Sequence, residues 1–457
     1  MSSKLWRNQQ QTVDFALERN SVFDMSDPGT GKTRAHLEVF NRRFKAGNTN
    51  CLVVLCPKTL MQNAWGNDLD TYYPRLPYAL AYANCREQSM NLDVDVYIIN
   101  SDGVKWLAEQ PKKFLRRFSN ATLIVDESTC FKHHTTPRSK AAATVSNYFK
   151  YVTLLTATPN PKSVTELWHQ AFLLDRGERL GKSFYQFRNA GCTPVQTGPS
   201  PRHVEWRDKA DAEEAVSQLL ADITIRHQFE DCMDIPKNLE QFIRFDPSKK
   251  LLKHYTEMET KAVLELEKGD IIGINAAVVA QKLCQIASGA AYHSDGSYTV
   301  LDDTRYQIIS DIVEQHPHTV TFFNWSHQKE QLKKWFTKRG ISHEVLDSTV
   351  SDRRRSEICT AYQRGDLQTI LLHPKTGAHG LTLTRGVATI WSSPVHEADF
   401  VKQGKYRIYR GGQTKRTYTK KVCAAGTCDE YVYENAGAKG SRMNNLLKIL
   451  RQRKGEK

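Results

Sequence analysis

The sequence predicts an α/β protein in which two mostly parallel β-sheets, each flanked by helices, follow one another along the chain. Three observations lead to this prediction. Short apolar runs alternate with helical patterns in the first half, longer charged segments occupy about residues 170–288, and a second alternation follows. Runs that are apolar throughout are typical of strands covered by helices on both faces of a sheet.

The strands predicted in the first half are Val22–Met25, Cys51–Cys56, Val94–Ile99, Thr122–Val125 and Val152–Leu155. Those predicted in the second half are Thr319–Phe323, His343–Leu346, Thr369–Leu372 and Ala388–Ser392. We therefore expect a first lobe over residues 1–230, a helical region over 231–290 and a second lobe over 291–457. An apolar stripe with basic neighbours predicts a C-terminal helix, at Met443, Leu446, Leu447 and Leu450. Docking of this helix on the second lobe is favoured over a role as a DNA-binding arm.

The chain carries 64 Lys and Arg against 50 Asp and Glu, a formal net charge of +14. A polyanionic partner is one interpretation of this charge, and solubility is the other. No apolar stretch has the length of a membrane span, and residues 1–7 lack a signal-peptide core, so we expect a cytoplasmic protein.

Ten cysteines are scattered through the chain, which favours reduced thiols over a disulfide framework. The pairs Cys51/Cys56 and Cys423/Cys428 do not make convincing zinc sites. Cys130, followed by His133 and His134, has the residue types of a metal site. Loop residues beside an active site are the favoured interpretation of this last group.

A glycine-rich segment, Ser26–Thr33, follows the first predicted strand and precedes a helix predicted over Thr33–Phe44. Its glycines allow a tight turn that points backbone N–H groups at a phosphate near the helix N-terminus. Lys32 is expected to hold the β- and γ-phosphates and Thr33 a Mg²⁺ ion. The predicted nucleotide-binding residues are Gly29, Thr30, Gly31, Lys32 and Thr33. The alternative is a glycine-rich turn that caps an ordinary helix.

Two acidic residues, Asp126 and Glu127, come directly after a buried strand, where a charge is costly unless it has a use. With a phosphate loop upstream, Asp126 is expected to hold Mg²⁺ through water. Glu127 is expected to orient and deprotonate the attacking water. An N-cap pair of a following helix is the alternative interpretation.

Three further polar residues of the first half are assigned by their position. The amide of Gln9 has the paired donor and acceptor groups that can read the edge of an adenine, although a surface glutamine is the alternative. Thr156 and Thr158 follow another strand, and their hydroxyls are expected to relay the nucleotide state. A plain turn is the alternative for that segment.

Two clusters stand out in the second half. Gly377–Leu383 follows a strand, and its glycines Gly377 and Gly380 offer backbone N–H groups to a phosphate. Gln403–Gln413 contains Arg407 and Arg410 three positions apart, a spacing that places both guanidinium groups on one face of a helix. A pair of arginine fingers competes here with a solvated basic face. Gln403 is expected to take part in coupling.

In their order along the chain, these segments resemble the motifs of superfamily 2 helicases, and specifically those of the Swi/Snf-related branch of DNA translocases. Gln9 resembles the Q motif. The segments similar to motifs I, Ia, II, III, V and VI are Ser26–Thr33, Cys51–Trp65, Asp126–Thr129, Thr156–Pro159, Gly377–Leu383 and Gln403–Gln413. Matches typical of the branch are Lys132, Pro159-Asn160 followed by Glu166-Leu167-Trp168, and Leu283–Ile286. The chain departs from the branch at Ser128-Thr129 in place of Ala-His, and at Ala157 in place of glycine. Ser26 stands where the general phosphate-loop pattern has its first glycine, a departure that superfamily 1 and 2 helicases often share.

The resemblance implies two RecA-like lobes with ATP and Mg²⁺ in the cleft between them. It implies a motor that hydrolyses ATP while it moves along duplex DNA without sequence preference, as a monomer. Nearly the whole chain is used by the motor, as in compact stand-alone forms from bacteria and phages, so the cytoplasm of such a cell is expected. A strand-separating DNA or RNA helicase, and an ATP-gated clamp with little turnover, remain as alternatives.

Overall fold

The computed structural model describes residues 4–160, 162–196, 204–267, 273–377, 381–395 and 397–434. The chain divides into two units, residues 1–234 and 235–457. All the apolar runs that were predicted as strands are strands, with ends within two residues of the predicted positions. The prediction of an α/β fold with two parallel sheets in tandem is therefore confirmed.

The strands of the first unit are β1 Ser21–Asp24, β2 Leu52–Cys56, β3 Tyr78–Ala81, β4 Val96–Asn100, β5 Thr122–Asp126, β6 Tyr151–Leu155, β7 Cys192–Gln196, β8 Val204–Asp208 and β9 Thr224–Ile225. Its helices are α1 Arg7–Leu17, α2 Lys32–Lys45, α3 Asn67–Tyr72, α4 Arg86–Met90, α5 Gly103–Ala108, α6 Lys112–Leu115, α7 Pro137–Ser146, α8 Thr165–Asp175, α9 Phe184–Gly191, α10 Ala212–Leu220 and α11 Phe229–Cys232. A π-helical turn spans Met61–Gly66, and 3₁₀ turns span Arg116–Phe118, Ser128–Phe131 and Ala221–Ile223.

The main sheet of the first unit has the order β3-β4-β2-β5-β6-β1-β9, with every pair parallel. Strand β2 shows why these residues form a central strand. Val53 and Leu55 point into one core, while Leu52, Val54 and Cys56 point into a second core on the opposite face. Because both faces are covered by helices, every residue of the strand is apolar. Strands β7 and β8 form a separate antiparallel hairpin.

The strands of the second unit are β10 Leu239–Phe245, β11 Ala290–Tyr292, β12 Tyr298–Val300, β13 Thr319–Phe322, β14 His343–Leu346, β15 Thr369–Leu372, β16 Ala388–Trp391 and β17 Tyr418–Ala424. Its helices are α12 Lys249–Glu267, α13 Gly273–Ala287, α14 Thr304–Glu314, α15 Ser326–Lys338, α16 Asp352–Arg364, α17 Pro374–Gly377, α18 Ala398–Lys405 and α19 Cys428–Glu434. The main sheet has the order β10-β17-β16-β13-β15-β14, with parallel pairs throughout. Strands β11 and β12 form a short antiparallel pair.

The segment 231–290, expected to be helical, contains helices α12 and α13 but also strand β10 at the edge of the second sheet. Most residues of β10 are exposed, so the strand lacks the continuous apolar run that marks a central strand. The predicted C-terminal helix over residues 443–450 lies outside the described residues. Within the described part of the chain, no helix combines the length and the apolar character needed to span a membrane.

A buried ion pair holds the second unit together. The Arg305 guanidinium on α14 lies 2.5 Å from the Asp429 carboxylate on α19, and both side chains are almost completely buried. Arg305 also donates to the carbonyl oxygens of Ser392, Val422 and Ala287. Three elements that lie far apart in sequence are therefore tied to one side chain, and Asp429 compensates its buried charge.

Candidate active site

The ends of three neighbouring parallel strands bring together most of the predicted site residues of the first unit. Strand β6 lies between β1 and β5, and Leu155 at its end is in register with both Asp24 and Asp126. The phosphate loop leaves β1, the acidic pair leaves β5 and Thr156 leaves β6. Ligand sites in open parallel sheets form outside the carboxyl ends of the strands, which is where these side chains lie.

The phosphate loop has the backbone that its glycines allow. Gly29 and Gly31 have φ values of 83° and 78°, in the left-handed region that glycine adopts without strain. Gly31 directly precedes α2, and its carbonyl oxygen accepts the N–H of Ala35 as the first helical hydrogen bond. Thr30 is buried, and its hydroxyl donates to the carbonyl of Asp27 at 2.8 Å. The loop is thus shaped by its own internal bonds.

Lys32 lies at the first position of α2 and folds over the loop. Its ammonium group donates to the carbonyl oxygens of Ser26 and Asp27, the latter at 3.0 Å. Its charge also works to lower the pKa of Asp126, against the larger raising effect of burial. Thr33, the predicted Mg²⁺ ligand, follows in the first turn of the same helix and is partly buried. The expected lysine and hydroxyl therefore lie side by side at one helix N-terminus.

Helix α1 packs its polar residues against the loop. The Asn8 side-chain amide donates to the carbonyl of Thr30 at 2.8 Å, and that of Gln9 donates to the carbonyl of Gly31 at 3.2 Å. A Cβ atom on Gly31 would lie 2.3 Å from Nε2 of Gln9, so a side chain there would displace this amide, and the φ of 78° independently favours glycine. Gln9 Oε1 accepts the N–H of Trp6. Each polar atom of the Gln9 amide can make one further bond, and its reading of adenine stays a prediction.

Asp24, at the end of β1, was not among the predicted site residues. Its carboxylate lies 2.9 Å from Nε2 of His36, and both side chains are buried. It also accepts the N–H of Ser26. Burial raises the pKa of Asp24, but the hydrogen bond and charge of His36, followed by Lys32 and Ser26, outweigh this and leave it below its usual value. An anchored negative charge therefore lies directly under the loop.

Asp126 is held by an indole that the sequence did not reveal as functional. The π-helical turn buries Trp65 and aims its Nε1–H at Oδ2 of Asp126, at a distance of 2.9 Å. Burial, followed by the neighbouring charge of Glu127, raises the pKa of Asp126 to about 6, although Trp65 and Lys32 lower it. Two neighbouring carboxylates, Asp126 and Glu127, favour binding of a cation. Carboxylate and hydroxyl oxygens, including that of Thr33, are the ligands that Mg²⁺ prefers.

Glu127 has an unusual backbone. Its φ and ψ are 54° and 55°, and in the described part of the chain Arg176 is the other non-glycine residue with a positive φ. A non-glycine residue in this region costs free energy and occurs preferentially where it positions a functional group. The left-handed turn ends β5 abruptly and starts the 3₁₀ turn Ser128–Phe131. This observation supports Glu127 as the residue whose carboxylate is being placed.

Gln170, on α8, connects the acidic segment with the segment after β6. Its Oε1 accepts the hydroxyl of Ser128 at 2.7 Å, and its Nε2 donates to the carbonyls of Pro159 at 2.7 Å and Glu166 at 2.9 Å. The side chain is completely buried. The signal in the sequence was a polar residue on the buried face of a helix, four positions after Glu166.

The segment expected to relay the nucleotide state is tied to the neighbouring strands. The Thr156 N–H donates to the carbonyl of Asp24 at 3.1 Å, and its hydroxyl accepts the N–H of Thr158 at 3.3 Å. Lys132, which follows the acidic segment, forms a 2.7 Å ion pair with Glu166, whose carboxylate also accepts the N–H of Lys162. Two of the residues typical of the branch, Lys132 and Glu166, are therefore partners of one another.

A further segment, from the C-terminal part of the first unit, lies beside the phosphate loop. Strand β9 pairs with β1, and the chain after it continues along the loop to Phe229. The His227 N–H donates to the hydroxyl of Ser26 at 3.0 Å, and the Phe229 N–H donates to the carboxylate of Asp27 at 3.2 Å. A two-residue strand has no periodic signal, which is why the sequence did not reveal it.

The second unit holds the predicted arginines. Nη1 of Arg407 and Nη1 of Arg410 donate to the same carbonyl, that of Leu381, at 3.2 and 3.4 Å. The prediction that both lie on one face of a helix is wrong, because α18 ends at Lys405. The N–H of Leu383 donates to the carbonyl of Arg407 at 2.9 Å, so this oxygen bonds to another segment and not to a following helical turn. The chain after α18 continues as turns.

Gln403 is a buried residue of α18. Gly377 is the last residue of α17, and Gly380 lies outside the described residues. Among the residues that the structure describes, Cys130, His133 and His134 do not form a metal site, since no group of three or more His, Cys, Asp or Glu is placed to hold an ion there or elsewhere.

Comparison with known proteins places this arrangement in a family. A family model described as SNF2-related domain matches residues 9–286. Protein p41 of Acyrthosiphon pisum secondary endosymbiont phage 1 is 26% identical, over 96% of this chain and 96% of its own length. The Caenorhabditis elegans homologue of SWI/SNF-related matrix-associated actin-dependent regulator of chromatin subfamily A-like protein 1 is 24% identical, over 94% of this chain. An ATP-dependent helicase/translocase of Bacillus subtilis, YwqA, is 23% identical, over 89% of this chain.

The chain spans 60% of the length of the C. elegans relative and 44% of that of the B. subtilis relative. The phage relative is matched almost from end to end. The family model covers more than half of the chain and includes the phosphate loop, the acidic pair and Gln170. The chain therefore belongs to the SNF2-related family, the nucleic-acid-dependent ATPases of helicase superfamily 2 that the order of its motifs predicted.

Proposed function

We propose that the protein is a motor that hydrolyses ATP to ADP and phosphate while it moves along duplex DNA. The observation that carries this proposal is the meeting of the phosphate loop, the acidic pair and Thr156 at the ends of β1, β5 and β6. This set contains a group for each requirement of phosphoryl transfer to water: a cradle for the phosphates, carboxylates for a cation and a base for the nucleophile.

In this proposal the loop and α2 bind the triphosphate. Backbone N–H groups at the start of α2 face the phosphate oxygens, and Lys32 turns from the carbonyls of Ser26 and Asp27 to the β- and γ-phosphates. Thr33 and Asp126 would hold Mg²⁺, the latter through water. The ion would supply positive charge beside the phosphate oxygens.

Glu127 orients the attacking water and takes its proton. The carboxylate must be ionised for this role, and its placement at the strand end by a left-handed backbone fixes the direction from which it acts. The change from triphosphate to diphosphate then reaches Thr156 and Thr158 through the shared strand ends, and reaches α8 through Ser128 and Gln170. Gln403 takes part in the same coupling in the second unit.

Arg407 and Arg410 are proposed to act on the nucleotide that the first unit binds. Charge builds on the phosphate oxygens during transfer, so guanidinium groups that arrive with closure favour the transition state over the ground state. Their convergence on the carbonyl of Leu381 supports this role, since both groups are held by one loop and would move with it.

Duplex DNA is the proposed track. The net charge of +14 suits a polyanion, and contacts to phosphates tolerate any base sequence. The B. subtilis relative is named a helicase/translocase, which agrees with movement along nucleic acid. We further propose that the protein acts as a monomer in the cytoplasm of a bacterium or a phage-infected cell.

The test is steady-state ATPase activity with duplex DNA, single-stranded DNA and RNA in parallel, followed by displacement of the third strand from a triplex. Stimulation by duplex DNA, with affinity that falls steeply with salt, and triplex displacement are expected. Stimulation by RNA or single strands without stimulation by duplex DNA would instead indicate a strand-separating helicase. Tight ATP-dependent binding with hardly any turnover would indicate a clamp.

A further inference from the structure

We infer that Ser26 and the segment 225–229 form a tether that carries the nucleotide state of the phosphate loop to the chain entering the second unit. Ser26 stands where phosphate loops of this kind commonly have their first glycine. The inference rests on the proposed function, because it concerns the same loop. Ser26 acts in it as a positioning residue.

The tether consists of hydrogen bonds that continue the β1–β9 pairing into the loop. The Met25 N–H donates to the carbonyl of Ile225 at 2.8 Å, and the Asp27 N–H donates to the carbonyl of His227 at 2.9 Å. Between them, the His227 N–H donates to the hydroxyl of Ser26 at 3.0 Å. The first half of the loop is therefore bonded to this segment residue by residue.

A side chain extends the tether by one further bond. The Asp27 carboxylate accepts the N–H of Phe229 at 3.2 Å, and Phe229 is completely buried. Ser26 and Asp27 are also buried, with exposures of 1% and 5%. Because buried donors and acceptors are costly to leave without partners, the loop and the segment move together.

The same two loop residues respond to the phosphates. Lys32 donates to the carbonyls of Ser26 and Asp27, and it gives up these bonds when it turns to a triphosphate. When Lys32 leaves, the carbonyls of Ser26 and Asp27 lose a hydrogen-bond donor. These two residues are the ones that bond to His227 and Phe229. Phe229 lies shortly before Asp234, the last residue of the first unit. The segment is thus hydrogen-bonded to the loop at one end and continues covalently into the second unit at the other.

This arrangement explains why a serine replaces the usual glycine. The hydroxyl of Ser26 is the acceptor for the His227 N–H, and a glycine would leave that N–H without its partner. The backbone bonds on either side would remain, so the loop would still form. The serine therefore adds connection to the segment and leaves the phosphate cradle unchanged.

The experiment is hydrogen–deuterium exchange of the full chain with and without the non-hydrolysable analogue AMP-PNP and Mg²⁺. In the unmodified protein, the analogue is expected to change the exchange of peptides from residues 225–233. In Ser26→Ala and Ser26→Gly, we expect this change to shrink roughly fivefold, with the affinity for the analogue retained. Ser26→Thr keeps the hydroxyl and should restore the change. Ser21→Ala, which removes a hydroxyl bonded to the Leu174 carbonyl at the other end of β1, is the control.

A kinetic measurement distinguishes positioning from support of the fold. At saturating DNA, Ser26→Ala should lower the stimulated kcat while the KM for ATP stays the same, and Ser26→Thr should recover kcat. A nucleotide-dependent change at residues 225–233 that is the same in Ser26→Ala as in the unmodified protein would overturn the tether while leaving the proposed ATPase intact. Failure of the unmodified chain to bind AMP-PNP would overturn the proposed function and the tether with it.

Discussion

Glu127 combines a proposed chemical role with a strained backbone, and the two have to be separated experimentally. The left-handed conformation is a property of the backbone, since it ends β5 and begins the 3₁₀ turn. The carboxylate is needed only for proton transfer. A change from carboxylate to amide keeps the size of the side chain and leaves the backbone as it is, so Glu127→Gln isolates the chemistry.

Lys32 and Glu127 are expected to fail at different steps. Lys32→Ala removes a cation that holds phosphates, so the affinity for ATP should fall. Glu127→Gln should bind ATP normally and lose hydrolysis, because an amide does not accept the proton. Nucleotide titration and single-turnover hydrolysis measure the two steps separately. Lys45→Ala, an exposed lysine at the far end of α2, is the control. Hydrolysis at the normal rate by Glu127→Gln would remove Glu127 from the mechanism.

Trp65→Phe should shift the pH dependence of hydrolysis. The pKa of Asp126 is about 6, and its ionised form is the one that holds a cation, so activity should fall as the pH drops through that value. The indole N–H stabilises the ionised carboxylate, so its removal raises the pKa of Asp126 in the free protein and moves the acid limb of kcat/KM to higher pH, by about one unit.

The matched control is Trp335→Phe in the second unit. Among the residues that the structure describes, its indole N–H has no hydrogen-bond partner. The acid limb should not move in this variant. A pH–rate profile for Trp65→Phe that coincides with that of the unmodified protein would show that Asp126 does not control the acid limb.

At the scale of elements, α8 serves as the connector between β5 and β6. Here the Gln170 amide bonds the loops after both strands at once. A displacement of Ser128 on nucleotide hydrolysis would therefore reach Pro159 through the buried, hydrogen-bonded side chain of Gln170.

Gln170→Ala should both destabilise the first unit and uncouple it. The loss of buried hydrogen bonds should lower the free energy of unfolding by about 1–3 kcal/mol. A double-mutant cycle with Ser128→Ala, in which urea denaturation measures the stability of each variant, should give a coupling energy on the order of 1 kcal/mol. Gln88→Ala, on an exposed glutamine of α4, should change neither quantity. Additive effects of Gln170→Ala and Ser128→Ala would contradict the connection.

Most central strands could be predicted from the sequence because burial on both faces leaves them apolar throughout. The interior strand β17 was missed, since Lys420 and Lys421 interrupt its apolar run. Of the edge strands, β14 was predicted, whereas β10, which is largely exposed, and β9, which has two residues, were not. The phosphate loop and the acidic pair are local patterns and were visible. Trp65, Gln170 and His227 act through partners 61, 42 and 201 positions away, and no local pattern encodes such contacts.

At the scale of the whole molecule, the two polar clusters described above belong to different units. The nucleotide loop and its hydrogen bonds lie in the first unit, and the buried pair of Arg305 and Asp429 lies in the second. Because the pair is in the second unit, its loss should leave the nucleotide loop in place. Stability and nucleotide binding are therefore separable by mutation.

Asp429→Ala should strongly destabilise the second unit, by about 3–5 kcal/mol, because it leaves the Arg305 charge buried without a counter-ion. Urea denaturation measures the loss, and hydrogen exchange in peptides from residues 239–434 should locate it. Asp366→Ala breaks an exposed ion pair with Arg364 in the same unit and should have hardly any effect. Equal stability of the two variants would show that the buried pair contributes little.

Arg407→Ala and Arg410→Ala test whether the second unit acts on nucleotide held by the first. We expect at least one of them to bind ATP and DNA yet turn over ~10³-fold more slowly. A solvated basic face predicts instead a loss of DNA affinity on the order of 1 kcal/mol or less, with turnover intact at saturating DNA. Measured kcat and DNA affinity separate the two cases, with the exposed Arg416→Ala as the control. Loss of DNA affinity alone in both variants would exclude the finger.

The pairing of β1 with β9 also sets when the phosphate loop can be completed during synthesis. Phe23 lies beside Thr224 in the finished sheet, so the loop that follows β1 leaves the ribosome well before the strand that pairs beside it. At about 5–20 residues per second, the roughly 200 residues between the two strands take about 10–40 s to synthesise. During that time the growing chain carries the residues of a nucleotide site without the strand that steadies them. The capacity to use ATP is therefore acquired late, when nearly all of the first unit has emerged.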